Sequence, residues 1–325
     1  MEQIKVSIVI PAYNVESYIS RAIESCMQQS YENIEIVVVD DGSSDDTYNV
    51  VAAYSQKDKR IKLVRQKNAG VSSARNKALD MCEGAYVLFL DSDDWFERDA
   101  VKRLIEKRNE IDSKTVLLSC GCYFAYIREN GIEKEQGNMD EYAEMAAEDV
   151  LLYVRGAKYA LRSSCYKLFS LEIIRKNKLR FEEKIRHGED GLFVFEYLKC
   201  VEGFVNIPDM LWVILDRPGS ATTSPYNSSK LSAITAVEKM MSYQNSAALE
   251  RELRMFLVQR TLSTLENALI TSVAHKKDVA YMRQRLRKES CFYIGNQPRL
   301  KLKLIFLLLT YAPTCVVREL LMRRK

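Results

Sequence analysis

The sequence predicts an α/β fold: a mostly parallel sheet over about the first two-thirds of the chain, followed by a helical C-terminal region. Four short apolar-rich runs, at residues 6–10, 34–39, 61–64 and 86–90, read as strands, the last of them as a buried one. Helical patterns separate them: Val15, Ile19, Ala22, Ile23 and Cys26 share one helix face, as do Val71, Ala74, Ala78 and Met81. Strand–helix–strand at this spacing predicts βαβ units. After about residue 225 the alternation stops and helical spacing continues alone.

Each strand ends in a polar turn: residues 11–14, then 40–46, 68–70 and 91–94. Right-handed crossovers gather such turns along one rim, where ligands of open α/β sheets bind. The fourth turn, Leu90-Asp-Ser-Asp-Asp-Trp95, places Asp91, Asp93 and Asp94 directly after a buried strand, with no Cys or His beside them. Clustered carboxylates of this kind suit a hard cation, Mg²⁺ or Mn²⁺, that bridges to a phosphate; a solvated acidic turn is the alternative. In the second turn, Asp41 is a strong acceptor able to take the N3–H of a uracil, and Gly42 permits close backbone approach. Ser43, Ser44 or Asp45 is suited to cap the helix starting at Thr47. The third turn opens a helix whose N-terminus favours anions. Arg75, one turn in, is placed either to reach a phosphate or to clamp an aspartate.

Four segments, Val6-Ser-Ile-Val-Ile-Pro-Ala-Tyr-Asn14, Val39-Asp-Asp-Gly-Ser-Ser-Asp-Asp-Thr47, Asn68-Ala-Gly-Val-Ser-Ser-Ala-Arg-Asn76 and Leu90-Asp-Ser-Asp-Asp-Trp95, resemble the successive motifs of family 2 glycosyltransferases, in order and spacing. The resemblance covers roughly residues 4–220. It implies a GT-A fold with helices on both faces of a Rossmann-like sheet, a nucleotide-sugar donor and an inverting transfer. By position it puts Pro11, Ala12 and Tyr13 at the nucleoside, Asp41 on the base, and Asn68, Arg75 and Ser92 among the donor-binding residues. Asp91 and Asp93 become the Asp-x-Asp pair, with Asp93 the more direct metal ligand. Arg186-His-Gly-Glu-Asp-Gly-Leu-Phe193 resembles the family's Glu-Asp motif, which makes Asp190 the catalytic base; Glu189 would then serve the acceptor or a neighbouring cation. Helix capping by the two acids is the alternative, and the helix dipole would lower the base's pKa unless burial offsets it. Ser164-Cys-Tyr-Lys-Leu-Phe169 resembles the acceptor-side segment, which assigns Lys167 to the acceptor. Arg217-Pro-Gly-Ser-Ala-Thr222 resembles a late loop whose arginine returns over the diphosphate, with a plain Pro218-Gly219 surface turn as the alternative. A Gln-x-x-Arg-Trp motif, the mark of processive synthases, is absent, so one sugar per acceptor encounter is expected.

Composition narrows the alternatives. The 325 residues suffice for one large or two ordinary domains: a catalytic domain at 1–222, a helical region at 223–298 and a basic amphipathic tail at 299–325. Polar and charged residues interrupt the opening segment, so no signal sequence is expected. Eight cysteines without a paired framework are expected as reduced thiols in a cytosolic protein. Cys120-Gly-Cys122 has the wrong spacing for zinc and reads as packing. Only His187 and His275 are available, against a histidine-rich metal site or a serine-hydrolase triad. His187 lies next to the Glu-Asp pair in sequence, and an ordinary loop role is expected for it. No Gly-x-Gly-x-x-Gly or P-loop occurs. The Gly-rich N-terminal loop of a sugar nucleotidyltransferase is also missing. A catalytically inactive nucleotide-sugar- or membrane-binding scaffold stays open, although Asp41, Asp91, Asp93 and Asp190 are all intact.

Net charge is +4. Residues 299–325 hold seven cations (Arg299, Lys301, Lys303, Arg318, Arg323, Arg324 and Lys325) against Glu319, so the remainder is slightly acidic and nucleic-acid binding is not expected. In the helical region Leu253, Phe256, Leu257, Leu262, Leu265 and Leu269 share a face, residues 228–290 predict two to four helices, and 245–247 is the expected break. The uncharged run at 304–317 contains Pro313 and is shorter than the ~20 residues of a spanning helix. Val316, Val317, Leu320 and Leu321 form a stripe opposite Arg318, Arg323 and Arg324. Such a tail is expected at the interface of an anionic membrane, peripheral on its cytoplasmic face; a helix closing the core is the alternative. Residues 300–304 alternate with period two and weaken the helix there, and the insert at 128–149 reads as a loop. A membrane-bound tail suggests a glycan or polyprenyl-diphosphate-linked acceptor. Homo-oligomerisation is left open.

Overall fold

Runs this rich in valine and isoleucine need cover on both faces, and the first two strands obtain it. Val6–Ala12 (β1) and Ile34–Asp40 (β2) are buried at every position. Their polar members are paired: Ser7 Oγ donates to Glu35, which also accepts Gly84 N–H and an ion pair from Lys62. The computed structural model describes residues 4–322 other than 114, 129–130, 138–142, 153–162, 218–219, 221–223, 244–245 and 272–274.

The chain continues through α1 (Ile19–Met27) between β1 and β2, then α2 (Thr47–Lys57), β3 (Ile61–Arg65), α3 (Val71–Met81), β4 (Tyr86–Phe89), β5 (Trp95–Phe96) and α4 (Ala100–Glu110). It goes on to β6 (Val116–Arg128), β7 (Gly131–Gln136), β8 (Ala143–Ala146), α5 (Ala147–Leu152), β9 (Lys167–Ser170), α6 (Leu171–Lys176), α7 (Glu189–Leu198) and β10 (Gly203–Asp216). The sheet order is β3-β2-β1-β4-β9-β6-β10-β5, with β7 on β6 and β8 on β10. β1 to β4 are parallel wherever they pair, and β6 is parallel to β10, while β9 enters antiparallel between β4 and β6. The mostly parallel sheet is therefore as expected, with an antiparallel strand at its centre. Because β1 to β4 run the same way, their C-terminal turns do share one rim.

Two local readings change. β1 extends through Pro11 and Ala12, which pair with Val39 and Asp40, so the first turn begins at Tyr13. The insert at 128–149 is not simply a loop: β7 forms a hairpin with β6, and β8 pairs with β10. All six residues of β7 are exposed, so backbone pairing holds it without the apolar alternation that betrays a strand.

Beneath the rim lies an aromatic cluster. Phe181 stacks on Phe193 at 4.0 Å, and Phe89 meets both edge-on at 5.1 and 5.7 Å. Phe169 adds Tyr197 at 4.9 Å. These rings pack α7 onto β4 and β9, so the acidic turn after β4 and the acidic start of α7 rest on one core.

Contacts divide the chain into two compact units. The first carries the sheet. The second comprises Leu152–Gly156, Lys184–Gly188 and Gly219–Lys325; the boundary expected between 222 and 223 lies outside the described residues. A 3₁₀ turn (Ser228–Leu231) leads into α8 (Ser232–Met241), α9 (Ala247–Thr271), α10 (Lys276–Lys288), α11 (Ser290–Asn296), α12 (Leu300–Tyr311) and α13 (Thr314–Met322). The expected break lies between α8 and α9. Leu253, Leu257, Leu265 and Leu269 are buried, with Phe256 and Leu262 partly so.

The tail divides its apolar surface. Phe306, Leu309, Val317 and Leu321 join the helical core, whereas Leu300, Leu304, Leu307, Tyr311, Val316, Leu320 and Met322 are exposed. The stripe expected as one face is thus split, Val317 and Leu321 inward and Val316 and Leu320 outward. Residues 300–304 are helical despite their period-two pattern. Pro313 ends α12 by holding Ala312 extended, at ψ 153°. Among the described residues no helix is long and apolar enough to cross a membrane. All eight cysteines are free, and Cys120 and Cys122 are buried in β6 as packing residues.

Truncating the central ring, Phe193→Ala, should cost about 3–5 kcal/mol of unfolding free energy, measured by urea denaturation; a loss below about 1 kcal/mol would contradict the packing described.

Candidate active site

Of the donor-side residues nearest the N-terminus, Pro11 and Ala12 are buried strand residues and only Tyr13, 49% exposed, presents its side chain. Asp41 follows β2, its N–H held by Ala12 C=O at 2.8 Å, and is buried. Its carboxylate accepts Ala69 N–H at 2.9 Å, Gly70 N–H at 2.7 Å and the Gln66 side-chain amide at 2.8 Å. The anion expected at the start of α3 is therefore the chain's own Asp41. Gly42 has φ +75°, and a Cβ there would lie 2.8 Å from Asn68 N. The close approach it permits is that of the Asn68 loop, whose Asn68 side chain stays exposed. On the neighbouring turn Asp45 accepts Thr47 N–H at 3.1 Å and serves the start of α2.

Arg75, one turn into α3, is 2% exposed. Its Nη2 donates to Asp91 Oδ1 at 2.8 Å, and Nη1 donates to Asp190 Oδ1 at 2.7 Å and lies 3.5 Å from Glu189 Oε1. The guanidinium sits 5.1 Å over the Phe181 ring. Of its two sequence-level readings, the structure has the clamp. Its pKa is raised despite burial because Asp190, Asp91 and Glu189 surround it.

The acidic turn separates three tasks. Asp94 is buried, accepts Leu215 N–H at 2.9 Å and ties the turn to β10; burial, with Asp91 and Asp93 nearby, raises its pKa well above the carboxylate range. Ser92 is buried beneath the turn. Asp91 and Asp93 face outward, Asp91 on Arg75 and Asp93 on Arg217, whose Nε lies 2.7 Å from Asp93 Oδ2. Arg217 also covers the Tyr18 ring at 4.5 Å. Burial and the charge of Asp91 raise the Asp93 pKa although Arg217 opposes them. Crowded carboxylates of this kind are what a divalent cation relieves, and two carboxylates with substrate phosphates are a common Mg²⁺ donor set. No cluster of three or more His, Cys, Asp or Glu side chains suited to a metal occurs among the described residues; Asp91 and Asp93 are the carboxylates of the turn that a metal would have to use.

Glu189 and Asp190 open α7, whose next five residues are all buried. Burial raises both carboxyls, Glu189 to about 8, with Arg75 opposing in each case. The lowering expected from the helix end is overridden by desolvation. Asp190 Oδ1 also accepts Ser164 Oγ–H at 2.8 Å. Lys167, expected toward the acceptor, is fully buried instead; its ammonium donates to Ser163 C=O at 2.8 Å and lies 4.0 Å from the Tyr166 ring centroid, and burial depresses its pKa to about 7. In the second unit His187 is near Ser229 Oγ at 3.2 Å, an ordinary loop contact, and His275 is 3.6 Å from Asp278.

Sequence reasoning missed Ser164, Gln66, Tyr18 and Phe181. Ser164 lay inside a quoted segment; the others carried no local signal.

A model of Glycosyl transferase family 2 matches residues 7–178. Glycosyltransferase GlyA of Streptococcus pneumoniae is 33% identical over 222 residues, covering 66% of this chain and 31% of the relative. EpsJ of Bacillus subtilis, an uncharacterized glycosyltransferase, is 30% identical over 233 residues, covering 68% of this chain and 64% of the relative. The chain thus spans less than two-thirds of the length of these relatives. Among solved structures, S. aureus TarS 1-349 in complex with UDP-GlcNAc matches with a TM-score of 0.69 at 23% identity, covering 98% of this chain and 89% of that one. This likeness identifies the GT-A type of fold.

A carboxyl raised in the folded state stabilises it below its unfolded pKa, and that stabilisation is lost as pH rises through the folded value. For Glu189 the window runs from the ordinary Glu range to about 8. Between pH 6 and 9 the Tm of the wild type should fall by roughly 5 °C more than that of Glu189→Gln; parallel curves in calorimetry would refute the burial-driven shift.

Proposed function

Because the chain belongs to glycosyl transferase family 2, we propose that it transfers one sugar, with inversion, from a nucleotide-sugar to a surface-glycan acceptor. The observation that carries the reading is the single buried guanidinium of Arg75 holding Asp91 and Asp190 together. One carboxylate of the Asp-x-Asp turn and the candidate base are thereby kept at fixed separation on the rim of the sheet.

In the proposed reaction Asp190 takes the proton of the acceptor hydroxyl as its oxygen attacks the anomeric carbon. The new C–O bond forms opposite the breaking bond to the diphosphate, which leaves with the electron pair. The raised pKa of Asp190 makes it a stronger base than a solvated aspartate. Asp93 and Asp91 would hold Mn²⁺ or Mg²⁺, and that ion would offset charge developing on the leaving diphosphate. Arg217, now on Asp93, is the side chain we assign to the diphosphate once donor is present. Tyr13 supplies an exposed ring for the nucleoside. Asp41 can still read a uracil N3–H through Oδ2, which accepts Gly70 N–H and carries a second lone pair. UDP is the nucleotide we assign, supported by the UDP-GlcNAc held by TarS. The absent Gln-x-x-Arg-Trp motif supports single-sugar transfer.

The acceptor we propose is carried on a lipid at the cytoplasmic leaflet. Support comes from the exposed Leu300, Leu304, Leu307 and Tyr311, spaced along one side of α12 beside Lys301 and Lys303.

Calorimetry with UDP, GDP and dTDP should show Mn²⁺-dependent binding of UDP that Asp93→Asn loses at least tenfold. Product from an active donor–acceptor pair should have inverted anomeric configuration by NMR. Metal-independent binding or a retained anomer would overturn the corresponding step. Full-length protein should co-sediment with phosphatidylglycerol vesicles, and Leu304→Glu/Leu307→Glu should reduce binding by about tenfold; equal binding by the variant would exclude this face.

A further inference from the structure

Asp190 offers two oxygens, and the structure treats them differently. Oδ1 accepts Arg75 Nη1–H at 2.7 Å and Ser164 Oγ–H at 2.8 Å, which occupies both lone pairs of that atom. Among the described residues Oδ2 accepts no hydrogen bond. Ser164 is itself fully buried and held from both sides. The next residue, Cys165, bridges to Phe89 at the end of β4. The preceding Ser163 accepts the Lys167 ammonium on its carbonyl and, through its hydroxyl, Cys165 N–H. A fully buried lysine is costly, and this one braces the backbone that carries Ser164.

We propose that Ser164 is a positioning residue for the transfer: with Arg75 it saturates Oδ1 of Asp190, so that Oδ2 alone is the proton-accepting atom, and Lys167 fixes the segment that makes this possible. The inference rests on Asp190 being the base. It names the basic atom and gives a role to the conspicuous Lys167 that acceptor contact cannot supply. The groups around the Asp190 carboxyl are Arg75 from α3, Asp91 from the acidic turn, Glu189 from α7, and Ser164, Cys165 and Lys167 from the segment entering β9.

Two measurements on the full chain test it. In protein labelled with ¹³C at aspartate carboxyls, with Asp190→Asn for assignment, Ser164→Ala should raise the Asp190 titration midpoint by about one pH unit. Ser164→Thr, which keeps the hydroxyl, should restore the wild-type midpoint. An unmoved midpoint in folded Ser164→Ala would overturn the inference. In the second, UDP release from UDP-GlcNAc with water as acceptor is followed at steady state. Ser164→Ala should lower kcat roughly ten- to hundredfold with the donor KM within about twofold, again rescued by threonine. If Asp190→Asn keeps wild-type turnover, the base assignment itself fails and Ser164 with it. If Asp190→Asn is inactive while Ser164→Ala turns over like the wild type, only the positioning role is lost.

Discussion

One buried cation organises this rim. Taking a guanidinium out of water costs several kcal/mol, and Arg75 is tolerated because three carboxylates and the face of Phe181 surround it. The dependence runs both ways. Without Arg75, the carboxyls of Asp91, Glu189 and Asp190 would crowd a poorly solvated space with no cation to offset their charge, and Glu189 and Asp190 would be driven toward their protonated forms. The residues it joins come from the turn after β4 and from the first turn of α7. The aromatic cluster beneath sets the distance between those elements, and Arg75 sets the directions of the carboxylates.

The acidic turn shows how adjacent residues of one type acquire separate tasks. Asp91, Asp93 and Asp94 are nearly indistinguishable as sequence. Asp94 is turned inward onto the Leu215 amide and becomes a structural tie, while Asp91 and Asp93 each meet an arginine. The arginines offset the charge of a crowded anionic turn.

What the sequence made legible was what depends on near neighbours. The strands at 6–10, 34–39 and 86–90 were readable because burial on both faces demands runs rich in Val, Ile and Leu, and the turns followed from where those runs stop. The ordered motifs identified the acidic turn and the Glu-Asp pair. Sequence left undecided whatever depends on partners far along the chain. Arg75 had two readings until the fold brought Asp190, 115 residues away, to its guanidinium. Lys167 was assigned to the acceptor because nothing local marks a lysine for complete burial. β7 was hidden because an edge strand held by backbone pairing needs no apolar face. The tail was half legible: its apolar residues were plain, but which of them turn inward depends on the helices of the second unit.

The grip of Asp41 on the start of α3 has a mechanical consequence. Gly70, whose amide Asp41 holds, and Arg75 are five residues apart, about 7.5 Å of helix. A helix segment this short behaves as a stiff rod, so a displacement at one end reaches the other almost undamped. A shift of the Asp41 turn would therefore be felt by the guanidinium that orients Asp91 and Asp190. Two turns of the rim far apart in sequence are joined by a single lever.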